Sequence, residues 1–258
     1  MIRVEQMWGT AIGVDVRDDT DASEAIAGIF AWFGCVDDLF STWRDDTEIV
    51  RVARGALTRD DAGAEVREVL DLCDELRTFT HGAFDISFAS HAGVAPRPGR
   101  AALDPSGVVK GWALERAAVL LRSRGLHNFS VNAGGDVITR GCAARGELWR
   151  VGIQHPWERL AVAAVVVGND LAVATSGQYE QPDHIVVPQT GKPATGLTAV
   201  TVIGPDLARC DAYATAAMVM GDDGMAWIAG VDDYAAMGIT DDRTVVTTAG
   251  FERYRAAA

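Results

Sequence analysis

The chain has 258 residues, 48% hydrophobic and 23% charged, which is ordinary for a soluble globular protein with room for a sizeable core. A formal charge of −13 argues against general nucleic-acid binding. An anionic ligand would therefore need local help from a lysine, a helix end or a metal ion. Cys35, Cys73, Cys142 and Cys210 form no C-x-x-C pair. That disfavours a zinc site or a disulfide framework and fits a reducing compartment. No apolar run approaches membrane-spanning length, and residues 1–10 hold no signal-peptide core, so a cytoplasmic location is expected.

Residues 11–17 alternate weakly and read as a strand. Asp21-Ala22-Ser23-Glu24 resembles a capping box. Behind it Ile26, Ile29, Phe30, Phe33, Val36 and Phe40 recur at helical spacing. Residues 41–48 are polar apart from Trp43, either a packing residue or a stacking platform for a ring. Val66, Val69, Leu70, Cys73 and Leu76 mark a second amphipathic helix, which ends before the compact turn Thr80-His81-Gly82-Ala83-Phe84-Asp85. Residues 90–100 are rich in Gly, Pro and Ala and read as a loop.

The stretch 103–136 organises the chain. Pro105 and Gly107 break its start, Trp112, Ala113, Ala117, Leu120 and Leu121 give it a helix, and Gly125 suits a left-handed C-terminus. Phe129-Ser130-Val131 is a strand, and the glycines of Ala133-Gly134-Gly135-Asp136 imply a close backbone approach. Residues 149–154 read as a strand. Residues 161–167 and 171–175, joined by Gly168-Asn169-Asp170, read as a β-hairpin. Residues 183–187 read as a short strand carrying His184, 188–193 as a turn, 199–203 as a strand and 208–220 as a helix of small residues. Interleaved elements with hairpin signals give an α+β fold on an antiparallel or mixed sheet, as a single domain over 1–258.

Asp211 and Thr215 share one helix face. Two hard oxygens, completed by backbone carbonyls and water, suit Mg²⁺; the plainer reading is a dipole-favoured Asp and a Thr bonded to its own backbone. His184 stands between an apolar run and a polar loop, where a lone histidine is more often structural than functional. A loop entering a helix N-terminus, flanked by Asp104 and Lys110, suits an anion. There is no G-x-G-x-x-G, Walker A or G-x-S-x-G sequence.

In order along nearly the whole chain stand Trp8-Gly9-Thr10, Phe40-Ser41-Thr42-Trp43-Arg44, Thr80-His81-Gly82-Ala83-Phe84-Asp85, Asp104 to Gly111, Asn132-Ala133-Gly134-Gly135-Asp136, Thr175-Ser176-Gly177-Gln178-Tyr179, His184-Ile185 and Asp211-Ala212-Tyr213-Ala214-Thr215-Ala216. Together they resemble the ApbE-type flavin transferases, the FAD:protein FMN transferases. The resemblance implies a T-fold-like α+β domain that cleaves the FAD pyrophosphate with Mg²⁺. FMN passes to a threonine hydroxyl in a short motif of an acceptor flavoprotein, and AMP leaves. It implies FAD contacts from Trp8, Trp43, Ala83, Phe84, Asp85, Asp104, Lys110 and Val186. It implies metal ligation by Gly107, Asp211 and Thr215, and His184 as the base. The chain departs from the pattern with Trp8 for Met, Val109 for Ala, Val187 for Asp and Gln189 for Arg. A FAD pyrophosphatase and a non-enzymatic FAD-binding protein are the alternatives.

Overall fold

The computed structural model describes residues 1–87, 103–158, 160–178 and 185–256. Their strands are β1 (Ile2–Met7), β2 (Thr10–Val16), β3 (Phe129–Ala133), β4 (Asp136–Arg140), β5 (Trp149–Gln154), β6 (Val162–Gly168), β7 (Ala172–Gly177), β8 (Leu197–Gly204), β9 (Ala235–Thr240) and β10 (Val245–Thr247). The helices are α1 (Ser23–Phe40), α2 (Glu48–Ala53), α3 (Ala64–Phe79), α4 (Ser106–Ser123), α5 (Leu207–Met220) and α6 (Gly224–Ala229).

Eight strands form one sheet in the order β1-β2-β3-β4-β7-β8-β9-β10, and β5 and β6 form a second. Every described strand pair is antiparallel, so the sheet is antiparallel rather than mixed. Alternation decides which face each strand buries. Ile12, Val14 and Val16 of β2 and Phe129, Val131 and Ala133 of β3 face the helical layer. Val137, Val173, Ile203, Met237 and Ile239 face the other way, where they meet Val151 and Ile153 of β5 and Phe251. The large sheet is thus covered by helices on one face and in part by the β5–β6 ribbon on the other.

α4 is buried around most of its circumference, and α5 carries Ala at five of its fourteen positions. Their approach is close enough that a Cβ on Gly111 would lie 2.6 Å from the Ala208 Cα. Glu115 of α4 ties the layers further. Its carboxylate accepts from the Leu207 N–H at the start of α5 (2.8 Å) and from Arg140 of β4 (2.9 Å).

The hairpin expected over residues 161–175 does not form. β6 pairs with β5, whereas β7 pairs with β4 and β8, so the two runs lie in different sheets. Leu171 tucks against Gly168, and the Asn169 carbonyl accepts from Thr139, which turns the chain from one layer to the next. Nor does the capping box close: Asp21 itself accepts from the Ser23 N–H and hydroxyl. Of the strand expected over 183–187, residues 183–184 lie outside the described residues, and Val186 makes an isolated bridge with Pro193. The close approach at Gly134 is present, with φ +60° and Thr10 Oγ1 3.0 Å from where a Cβ would stand. Gly125 is left-handed as expected, φ +78°. No described helix is long and apolar enough to cross a membrane.

Candidate functional site

The N-terminal halves of α4 and α5 meet the turn between β3 and β4. Gly134 and Gly135 both take positive φ, which reverses the chain and starts β4 at Asp136. Asp136 is 1% exposed. Its Oδ2 pairs with Lys110 Nζ at 2.6 Å, and its Oδ1 accepts from the Thr175 N–H at 3.1 Å. Lys110 lies on the first turns of α4 and keeps about a third of its side chain open.

Asp211 is 6% exposed on α5. Its Oδ2 is buried without a hydrogen-bond partner among the described residues. Burial drives its pKa well above the ordinary carboxylate value; the nearby Asp136 carboxylate adds to this, and Lys110 opposes it. One turn along the same face, Thr215 Oγ1 shares a hydrogen bond with Ser176 Oγ of β7 at 3.0 Å. Facing it, Gly107 in the first turn of α4 leaves a notch. A Cβ there would meet Phe84 Cε2 at 3.2 Å and Thr215 Oγ1 at 3.7 Å. The structure therefore brings Gly107, Phe84, Lys110, Asp211 and Thr215 together.

The 80–87 turn positions Phe84. Thr80 Oγ1 accepts from the Phe84 N–H at 3.0 Å and donates to the Leu76 carbonyl at 2.8 Å, with His81 and Gly82 in the left-handed region. Ala83 and Phe84 are buried. Asp85 holds this turn: it accepts from Ser87 N and Oγ and pairs with Arg77 at 3.0 Å. Asp104 joins the turn to α4, its N–H donating to the Ile86 carbonyl and its carboxylate accepting from Ser106 N. The 185–194 ribbon carries Val186 and docks on the same turn, where Gln189 Nε2 donates to the Gly82 carbonyl at 3.2 Å.

Trp8 stands apart from this cluster in its contacts. Trp8 occupies the two-residue turn between β1 and β2 with φ +52°, and its ring meets Phe33 edge-on at 5.0 Å. That turn adjoins the β3–β4 turn through Thr10. Trp43 is 69% exposed on the loop after α1. His184 lies outside the described residues. Sequence reasoning gave no role to Asp136 or Ser176. Both sit inside quoted motifs, but their partners Lys110 and Thr215 are remote in the chain, and only folding shows the pairing.

Hard oxygens from Asp211 and Thr215 beside a lysine suit a divalent cation and the phosphates it would hold. No group of three or more His, Cys, Asp and Glu side chains gathers among the described residues, so other ligands would have to be backbone, hydroxyl or substrate oxygens.

Known proteins resemble this chain in sequence and in fold. A "FAD:protein FMN transferase" of Klebsiella pneumoniae is 29% identical over 266 residues, covering 83% of this chain and 75% of that relative. One of Salmonella typhimurium is 37% identical over 129 residues, covering 46% of this chain but only 37% of its own length. Among solved structures, the flavin transferase ApbE of Vibrio cholerae superposes with TM-score 0.83 at 23% identity, covering 98% of each chain. The apo flavinyl transferase ApbE of Pseudomonas stutzeri also gives 0.83 at 23% identity, covering 100% of this chain and 97% of its own. At such identity these likenesses establish the fold. The ApbE family pattern itself matches residues 8–95 and 90–237, which is most of the sequence, and the chain belongs to the ApbE family.

Proposed function

We propose that this chain, acting as a single domain, is an FAD:protein FMN transferase: it cleaves FAD, transfers FMN to a threonine hydroxyl of an acceptor flavoprotein and releases AMP. The observation that carries this reading is the buried, unpartnered Asp211 Oδ2 beside the Lys110–Asp136 pair. A buried carboxylate oxygen left without a donor costs about 1–3 kcal/mol or more, which is retained where function uses it. The names of the relatives supply the reaction, and the site supplies the matching chemistry.

The residues fit Mg²⁺: Asp211 and Thr215 would hold it, with the Gly107 carbonyl as the third protein ligand in this reading. When bound, the ion would supply positive charge against the pyrophosphate. The chain's own groups do the rest. Lys110, fixed by Asp136, offsets negative charge that develops on phosphate oxygens during cleavage. Gly107 and Phe84 shape the wall against which the pyrophosphate would pass. Trp43 and Trp8 offer flat surfaces to a ring, and Asp85, Asp104 and Val186 position the two turns that frame the cleft. A threonine hydroxyl is a poor nucleophile without a base, and His184 is assigned that role. The acceptor oxygen bonds to the FMN phosphorus, the bond to the AMP phosphate oxygen breaks, and the hydroxyl proton passes to the base.

The test is intact mass of an acceptor domain after incubation with FAD, Mg²⁺ and this protein. An FMN-sized increment that disappears with a chelator is expected. AMP and free FMN with an unlabelled acceptor would make it a pyrophosphatase, and FAD left intact would make it a binding protein.

A further inference from the structure

On the face of the large sheet away from the helices lies an open groove of about 850 Å³, within the size range of ligand sites. All six residues of β5 line one wall in succession. Its partner strand β6 is covered on its outer side by the C-terminus: Val167 N–H donates to the Tyr254 carbonyl, and Ala256 N–H donates to the Val165 carbonyl. Val165 and Val167 thus turn their main-chain groups away from β5. Their cross-strand neighbours are Gly152 and Arg150. In an antiparallel ladder, such residues direct N–H and C=O outward on the opposite side. Arg150 and Gly152 therefore present main-chain donors and acceptors to the groove, unused among the described residues. The other walls are mixed: Ser130, Asn132 and Thr139 are short and polar, Arg17 and Glu147 are charged, and Val137 is apolar.

The groove reaches the β3–β4 turn, which adjoins the candidate site. Gly134, Gly135 and Thr175 line it, and Thr175 N–H is the donor to the carboxylate of Asp136, which in turn holds Lys110. A chain lying along β5 can therefore reach the end of the sheet where the site opens. Exposed strand edges recognise extended polypeptide through main-chain hydrogen bonds, with side-chain selection by the walls. We propose that the free edge of β5 is the docking strand for the acceptor protein, which adds an extended segment next to its reactive threonine. Arg150 and Gly152 supply the main-chain contacts. Ser130, Asn132 and Thr139 offer hydrogen bonds to polar side chains of the segment. The proposal rests on the transferase reading above.

The test uses the full chain, FAD, Mg²⁺ and the soluble flavinylation domain of an electron-transfer subunit as acceptor. Gly152→Pro removes one outward N–H without removing a bond of the β5–β6 ladder. KM for the acceptor is expected to rise about tenfold or more, with FAD affinity within about twofold of wild type. Independently of any variant, hydrogen exchange at the Arg150 and Gly152 amides of the wild-type chain should slow at least about fivefold when acceptor is added. Should Gly152→Pro not fold, this second measurement decides alone. Exchange at these amides unchanged by an acceptor that is nevertheless labelled overturns the docking strand and leaves the transferase reading standing. A wild-type protein that binds FAD and labels no acceptor overturns the reading, and the docking strand with it.

Discussion

At the scale of single residues the site is organised by charge taken out of water. Asp211 lies deep on α5, with burial and the Asp136 carboxylate both favouring its neutral form. A carboxyl group whose folded pKa stands above its unfolded value of 3.8 binds its proton more tightly when folded. Without metal, stability must then fall as pH rises from 3.8 through the folded value, and the loss persists at neutral pH. Asp211→Asn removes the charge and keeps the shape. In the presence of a chelator at pH 7.5 it is expected to stabilise the protein by about 1 kcal/mol, or about 2–4 °C in Tm. The same change should abolish the Mg²⁺-dependent rise in Tm and lower transfer by roughly 10²-fold or more. Thermal melts across pH with and without Mg²⁺ check both signs, and a variant less stable than wild type under chelation would show that Asp211 has an ordinary structural role. Lys110→Met is expected to act oppositely. It leaves the Asp136 carboxylate buried without its cation beside Asp211, so the variant should lose roughly 1–3 kcal/mol by urea unfolding. Of these residues, Asp211 and Thr215 were singled out in the sequence by the helix face they share together with the resemblance to the ApbE-type transferases; spacing alone left a plain structural reading open. The Lys110–Asp136 pair was not, because a β-turn and a helix crossing bring together residues that no local pattern relates.

At the scale of elements, α4 and α5 carry Lys110 and Asp211, and their crossing sets the distance between the charges. Gly111 lies at that crossing, where a Cβ would stand 2.6–2.7 Å from backbone atoms of Leu207 and Ala208. In an isolated helix Gly→Ala stabilises by up to about 1 kcal/mol. Here backbone cannot yield as a flexible side chain could, so Gly111→Ala is expected to destabilise by about 1–3 kcal/mol. Because the strain lands on the first turn of α5, Mg²⁺ affinity should fall with it; guanidinium unfolding and metal titration on the one variant measure both. An unchanged midpoint would mean that the helices stand further apart. The same crossing explains what sequence could and could not show. α1 and α3 bury one stripe and declared it through their period. β2 and β3 declared theirs by alternation. β9, AAMGIT, is buried along nearly its whole length and built of small residues, so neither period marks it. β6 and β7 looked like a hairpin because each is a short apolar run beside a turn. Their partners were chosen by layer packing, with Leu171 under Gly168 and Thr139 bound to the intervening loop.

At the scale of the whole molecule the chain is an anion that is proposed to bind an anion. A net charge of −13 repels a dinucleotide at long range, and Lys110, the cation that the described residues place at the proposed pyrophosphate site, is already paired with Asp136. Attraction thus begins only within a few ångströms, inside the first turns of α4 and α5, whereas repulsion acts over the Debye length. That length shrinks from about 30 Å at 0.01 M salt to about 8 Å at 0.15 M. Screening should therefore remove the repulsion and leave the contacts nearly intact. The association rate for FAD, read by flavin fluorescence in stopped flow, is expected to rise a few-fold over that range and then level off. A protein whose cleft steers its ligand shows the reverse, with association slowing as salt increases. The dissociation rate should change little with salt in the wild type. In Lys110→Met it should rise at every ionic strength, because the lost contact is local, while the upward slope of the association rate remains. Association that slows with salt would show that the field at the cleft is positive despite the net charge, and that Lys110 is not the principal cation the ligand meets.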